Sequence, residues 1–213
     1  MLPNHSQLLL FVSAAALLIV IPGPTVLYII GRSIGQGRSA GLVSVLGIHV
    51  GTLIHVAAAA VGLSAVLMSS ALAFSAVKYL GAAYLIYLGV QKIRSRESFE
   101  FTGPVALVSL RRVFGQGVVV NVLNPKTALF FFAFLPQFVD PGRGHIPLQI
   151  IILGLLMIAI GLTSDTVWAI SAGTVAQLLR RNQRWMNTQR YLSGGILISL
   201  GLATAFAGSS SKK

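Results

Sequence analysis

Two proline motifs interrupt apolar runs that are long enough to cross a membrane. Pro22-Gly23-Pro24 lies within the run from Leu8 to Ile30, and Asn124-Pro125-Lys126 lies within the run from Val113 to Val139. Proline lacks a backbone N–H and clashes with the preceding turn, so each motif should bend or open a helix. Non-helical backbone at bilayer depth is tolerated only where it is buried in protein or lines a cavity. Interrupted segments in both halves of a chain indicate a transporter binding site, although a proline can also simply kink a helix.

Composition places the chain among integral membrane proteins. Of its 213 residues, 55% are hydrophobic and only 9% are charged. Segments of about 20 apolar residues are long enough to span a bilayer, and they predict six spans, roughly 6–31, 39–65, 71–92, 113–138, 146–176 and 190–208. The net charge of +12 comes from basic residues between these spans, which favours cytoplasmic loops over nucleic-acid binding. Cysteine is absent, and neither a metal site nor a cofactor is predicted.

Basic residues are distributed unevenly between the two sides of the predicted membrane. The first, third and fifth connections carry eleven of them, whereas the opposite side carries three. Because cytoplasmic loops are enriched in Lys and Arg, these connections should be cytoplasmic and both termini periplasmic. The eleven are Arg32, Arg38, Lys92, Arg94, Arg96, Arg111, Arg112, Arg180, Arg181, Arg184 and Arg190.

This topology predicts an all-α membrane protein built from two inverted three-helix repeats, with broken first and fourth spans. The whole chain, 1–213, should form a single transport domain. Its first repeat covers about 1–92, a cytoplasmic loop covers about 93–112, and the second repeat covers about 113–208, with boundaries uncertain by several residues.

Several segments share the order and spacing of a known family. They are the Pro22–Pro24 motif, GAAYLIYLG at 81–89, NPKTALFFFAFLPQFVDP at 124–141, Asp165 with Trp168, and GGILISLGL at 194–202. Together they resemble the LysE/RhtB family of bacterial amino-acid exporters. The resemblance implies a multi-pass inner-membrane protein, not an enzyme, that exports small amino acids or close derivatives using an ion gradient. Thr52 is a departure, because many members near the leucine and threonine exporters carry Asp there.

Three titratable residues inside the predicted spans are candidates for proton coupling. Asp165 is the one acidic residue within a span, where a charge costs roughly 2.5–3.5 kcal/mol on the insertion scale. It could bind a proton or a substrate ammonium, or it could be a neutral side chain bonded between helices. His49 and His55 form one helical stripe with Thr52. They could relay protons or donate interhelical hydrogen bonds. Their spacing of six residues does not favour a shared zinc ion.

The two proline motifs supply the candidate substrate-binding residues Pro22, Gly23, Pro24, Asn124, Pro125 and Lys126. Freed N–H groups suit a carboxylate, and freed carbonyls suit an ammonium group. Lys126 could hold a substrate carboxylate, pair with Asp165, or extend its amine to the membrane surface.

A secondary active exporter of small amino acids or close derivatives, with a neutral or apolar side chain favoured and with coupling to protons, is the leading interpretation. An uncoupled channel or facilitator for small zwitterions is the alternative, although no ring of charge or filter loop indicates one. A membrane enzyme is disfavoured by the absence of HExxH, cysteine and paired acidic residues. The identity of the amino acid, the coupling ion and homo-oligomer formation remain open.

Overall fold

The computed structural model describes residues 5–20, 23–63 and 107–181, with isolated helical positions between 76 and 94 and between 191 and 205. All regular secondary structure in the described ranges is helical. The predicted third and sixth spans lie largely outside the described residues, and so does Pro22. Six spans and the inverted repeat therefore stay predictions.

The first predicted span is a pair of helices that meet at an angle. Helix α1 runs over His5–Val20 and helix α2 over Pro24–Gln36, and their axes differ by 50°. Pro24 begins α2, where a missing N–H costs nothing because the first-turn N–H groups have no intrahelical partner. The helix continues five residues beyond the predicted end of the span, to Gln36.

Helix α3, Arg38–Ala58, follows α2 after the single residue Gly37 and continues as a π-helical turn over Ala59–Leu63. Gly37 has a φ of 88°, a left-handed conformation that glycine adopts without steric cost. The predicted connection at 32–38 is thus reduced to one residue. Arg32 lies on α2 instead, where its guanidinium donates to Gln36 and Gln116.

The fourth predicted span is also bent. Helix α4 covers Leu110–Val122 and helix α5 covers Pro125–Leu129, which continues through a π turn, Phe130–Phe134, and a 3-10 turn, Leu135–Phe138. The two parts meet at 49°. The bend falls at the sequence where proline removes the helical N–H of residue 125.

Helix α6, Ile146–Arg181, follows a short 3-10 turn, Pro141–Arg143. Buried Gln149 holds this turn: its amide donates to the carbonyls of Asp140 and Gly144 and accepts from the Asp140 N–H, at 2.8–2.9 Å. The sequence here, Asp140-Pro141-Gly142-Arg143-Gly144, is rich in residues that favour turns.

Two of these helices are long and apolar enough to cross a bilayer unaided: Arg38–Gly62, with a mean hydropathy of 1.9, and Ile146–Ala172, at 2.4. Each bent pair adds one further crossing segment if it is counted as a single span, giving up to four in the described part of the chain.

Glycines let α3 and α4 approach each other closely. A Cβ atom at Gly47 would lie 2.3 Å from the Phe114 carbonyl oxygen, and one at Gly51 would lie 2.9 Å from that of Val118. On the facing helix, a Cβ at Gly117 would lie 3.0 Å from the Ser44 carbonyl oxygen. Small residues at four-residue spacing are typical of tight helix contacts in membranes. We refer to this contact of Ser44, Gly47 and Gly51 with α4 as the glycine seam.

Aromatic side chains fill the space between α1, α5 and α6. Phe11 on α1 contacts Phe130 and Phe138, with ring centroids 5.8 and 5.2 Å apart. Phe134 lies 5.3 and 5.0 Å from the same two rings. Tilted and edge-on ring pairs at these distances are favourable. The phenylalanines of the second proline segment therefore pack in the core of the described helices.

Candidate functional site

A small polar cavity lies between the two helix breaks. Its volume is about 60 Å³, which is room for about four water molecules at 15 Å³ each. This is far less than the 300–1,000 Å³ or so that ligand pockets commonly occupy. All four crossing segments of the described chain contribute to its lining: Leu18, Ile19, Thr25, Val26, Ile48, His49, Thr52, Asn121, Asn124, Lys126, Thr127, Met157, Gly161 and Asp165.

At the first break, a lysine replaces a missing backbone donor. In a continuous helix the Leu18 carbonyl would accept from the N–H of residue 22, but residue 22 is proline. The Lys126 Nζ donates to the Leu18 oxygen instead, at 2.6 Å. The carbonyl end of a helix also attracts cations through the helix dipole. Gly23 lies alongside, since a Cβ there would be 3.7 Å from Nζ.

At the second break, the carbonyl four residues before the proline is contacted by the Asn124 N–H, which donates to it at 3.0 Å, and by a histidine. The Asn121 carbonyl would accept from the N–H of residue 125, which is again proline. His55 Nε2 lies 3.1 Å from the Asn121 oxygen, and a carbonyl can only accept, so Nε2 carries a proton. The His55 ring stacks on Phe131 with an interplanar angle of 7°. His55 therefore bridges α3 to the broken fourth span.

The side chain of Asn121 joins three segments. Its amide nitrogen donates to the Ile48 carbonyl and to Thr52 Oγ1, both at 2.8 Å, and its amide oxygen accepts from Thr127 Oγ1 at 2.9 Å. Next to it, Asn124 caps α5 by accepting from the Lys126 N–H at 3.0 Å. Buried polar side chains need such partners, so this network fixes the geometry of the second break.

His49 and Asp165 form a buried acid–base pair between α3 and α6. His49 Nε2 lies 3.2 Å from Asp165 Oδ2, and the two residues are only 8% and 6% exposed. The distance is that of an ion pair, but the ring is not aligned for a hydrogen bond, and neither His49 nitrogen has an aligned partner within the described residues. Gly161 provides the space, because a Cβ there would lie 2.6 Å from His49 Cε1.

The structure brings most of the sequence-predicted residues together. Asn124, Lys126, His49 and Asp165 line the cavity, and Gly23 lies against Lys126. The Lys126 amine donates to the Leu18 carbonyl at the first break, and the Asp165 carboxylate contacts the His49 ring. Pro24 and Pro125 begin α2 and α5, Pro22 lies outside the described residues, and His55 faces Asn121. The roles of all nine residues stay predictions.

Sequence reasoning missed Leu18, Asn121, Thr127 and Gly161. Two of them had a usable signal, because Leu18 and Asn121 each stand four residues before a motif proline, where the proline leaves a carbonyl without its helical donor. Thr127 and Gly161 act only through contacts with other helices, which local sequence does not specify.

Apolar helices of spanning length, two proline breaks and a buried polar cavity between them define a multi-pass membrane transport protein. A family model described as LysE type translocator matches residues 16–208. The chain belongs to this family, and it is a translocator rather than an enzyme.

The chain is similar over most of its length to several bacterial membrane proteins. It is 29% identical to an uncharacterized membrane protein of Vibrio cholerae, over 93% of this chain and 96% of that one. It is 29% identical to the homoserine/homoserine lactone efflux protein of Salmonella typhimurium, with coverage of 92% and 95%. It is 24% identical to the leucine efflux protein of Salmonella choleraesuis, with coverage of 92% for both. No solved structure matches the chain.

Proposed function

We propose that this protein is a secondary active exporter of small amino acids or close derivatives. The observation that carries the proposal is the cavity between the two breaks, which presents an ammonium, a carboxylate and proline-freed carbonyls within one buried space. A zwitterion needs complementary groups of this kind. The names of the homoserine and leucine efflux relatives support the substrate class.

Proton coupling is assigned to the buried pair of His49 and Asp165. Neutral imidazole and carboxylic acid are both compatible with a membrane interior, and either can take or release a proton. The misaligned contact at 3.2 Å supports this assignment, because a small rotation of the ring would make or break the bond. His55 is the second candidate for the proton site, because its Nε2 already donates to the Asn121 carbonyl.

The six-span inverted repeat is part of the same proposal. The two breaks bend by nearly equal angles, 50° and 49°, and they meet at one cavity, as equivalent elements of two repeats would. The charge distribution favours cytoplasmic odd-numbered connections and an inner-membrane protein with periplasmic termini.

Asp165→Asn tests the coupling. Asparagine keeps the size and hydrogen bonding of aspartate but cannot titrate, so the variant should lose accumulation driven by a proton gradient while it retains substrate exchange. Both are measured in proteoliposomes with radiolabelled L-homoserine and L-leucine as probes, and the wild-type protein is the reference.

Two outcomes would contradict parts of this proposal. Accumulation that persists in Asp165→Asn but is lost in His55→Ala would assign the proton site to His55. Wild-type flux that merely follows the substrate gradient, unaffected by a proton gradient, would favour the facilitator alternative.

A further inference from the structure

The Lys126 ammonium lies at the first helix break, where it lines the polar cavity. Its ammonium donates to the Leu18 carbonyl at 2.6 Å, beside Gly23 and at the edge of the cavity that contains Asp165. The Leu18 carbonyl lacks its usual helical donor, because residue 22 is proline and has no backbone N–H.

Two features make the Leu18 carbonyl an ammonium site. It lies in the last turn of α1, His5–Val20, where the helix dipole concentrates negative potential. Its intrahelical donor is missing because residue 22 is proline, and a buried carbonyl needs a replacement donor.

The two breaks use different kinds of donor. At the second break the Asn121 carbonyl accepts from the Asn124 N–H and from a rigid ring, the His55 imidazole stacked on Phe131. At the first break the donor is a cation on a flexible four-carbon stem, which can leave and return. The lysine is also anchored at its backbone by Asn124, independently of its amine. The amine can therefore move without opening α5.

We infer that the Lys126 ammonium is an internal stand-in for the substrate ammonium, an inference that rests on the proposed export of amino acids. The incoming ammonium displaces Lys126 from the Leu18 carbonyl, and the released Lys126 then pairs with the substrate carboxylate. The exchange leaves the net charge of the interior unchanged, because the substrate is a zwitterion: one cation stays on the carbonyl, and the second cation gains an anion. It also explains why the cavity of about 60 Å³ is too small for an amino acid while Lys126 is in place.

The site can be tested by chemical rescue without knowing the substrate. Lys126→Ala removes the groups that n-propylammonium would restore, whereas Lys126→Met fills the same space with an apolar chain. We expect n-propylammonium to raise the Tm of purified Lys126→Ala saturably, by about 3–6 °C at ten times its Kd. It should not stabilise the wild type or Lys126→Met. Tetramethylammonium, a cation without N–H donors, should have no effect.

If Lys126→Ala does not survive purification, the amine is added from solubilisation onward, and amine-dependent recovery becomes the measurement. Failure of n-propylammonium to stabilise or recover the variant, or an equal response in Lys126→Met, would overturn the inference.

Displacement by substrate is measured on the rescued variant. L-Homoserine or L-leucine should compete with n-propylammonium and weaken its apparent affinity, whereas 4-hydroxybutyrate, which lacks an ammonium group, should not. Rescue without such competition refutes the displacement step. Rescue combined with no amino-acid counterflow by the wild type refutes the proposed function but leaves the ammonium site intact. Counterflow without rescue refutes this inference alone.

Discussion

At the scale of single residues, two polar side chains donate to carbonyls that proline has deprived of their helical donor. Lys126 and His55 each donate to the oxygen four residues before a proline. An unsatisfied buried carbonyl costs about 1–3 kcal/mol. Lys126 removes this cost at Leu18, whereas the Asn121 carbonyl also accepts from the Asn124 N–H at 3.0 Å. Four titratable residues of the site therefore make two kinds of contact. Lys126 and His55 donate to carbonyls at the helix breaks, whereas His49 and Asp165 contact each other between α3 and α6.

Gly161→Ala should disturb this pair without removing either member. The added methyl would lie 2.6 Å from His49 Cε1, so the imidazole must turn away from Asp165. Overpacking of this kind costs about 1–3 kcal/mol, while alanine favours the helix by up to about 1 kcal/mol over glycine. The protein should therefore still fold, exchange substrate and lose gradient-driven accumulation, as measured in proteoliposomes.

Gly115→Ala is the matched control, because nothing lies within 4 Å of a Cβ at that exposed position. It should accumulate substrate like the wild type. Full accumulation by Gly161→Ala would mean that the contact between His49 and Asp165 is dispensable.

The chemistry of the site was only partly readable from the sequence. The proline motifs and Asp165 were visible because each violates the expectation for an apolar span. The partners were not: Asn121 contacts Thr52, which is 69 positions away in the sequence, and Gly161 matters only because a ring from another helix lies over it. Such contacts depend on how the helices pack, which no local pattern specifies.

At the scale of helices, the lengths of apolar runs located the elements well. The predicted span at 146–176 corresponds to α6, Ile146–Arg181, and the one at 39–65 to α3 with its π turn. The first span is predicted to end at residue 31, but α2 ends at Gln36. The difference arises because the basic and glycine-rich sequence after Ile30 stays helical as far as Gly37, which has a positive φ. Composition therefore predicts where polar residues begin, whereas the end of the helix is set by the backbone conformation of Gly37.

Pro125→Ala tests whether the second break is needed. Alanine restores a backbone N–H that competes with His55 and the Asn124 N–H for the Asn121 carbonyl. It also makes a continuous helix possible, since proline at position 125 would cost about 3 kcal/mol in the interior of such a helix. The fourth span should straighten from its 49° bend, and transport should fall while membrane insertion is retained. Radiolabelled counterflow and membrane yield measure these effects.

Pro147→Ala serves as the control, since Pro147 lies in the first turn of α6, where a missing N–H has no intrahelical consequence. It should transport normally. Unchanged counterflow in Pro125→Ala would show that the break is only a kink.

At the scale of the whole molecule, orientation is a prediction from charge alone. Eleven basic residues in or beside the predicted odd-numbered connections, against three on the other side, predict that both termini are periplasmic. Alkaline phosphatase fused after Lys213 should be active, and a green fluorescent protein there should stay dark. Fusions after Ser98, in the predicted cytoplasmic loop, should give the reverse pattern. A fluorescent fusion at Lys213 would refute this orientation.

The glycine seam restricts how such a molecule can open alternately to its two sides. Ser44, Gly47 and Gly51 lie on the first predicted repeat and meet the backbone of α4, on the second, with no room for a methyl group. Contacts between backbones at this distance cannot slide without first separating. In the predicted architecture, the two repeats are therefore held together along α3 and α4, and they would not rock apart as whole bodies. We expect opening to come from the segments on the far side of each proline break, α1 and α5, moving relative to α3 and α4.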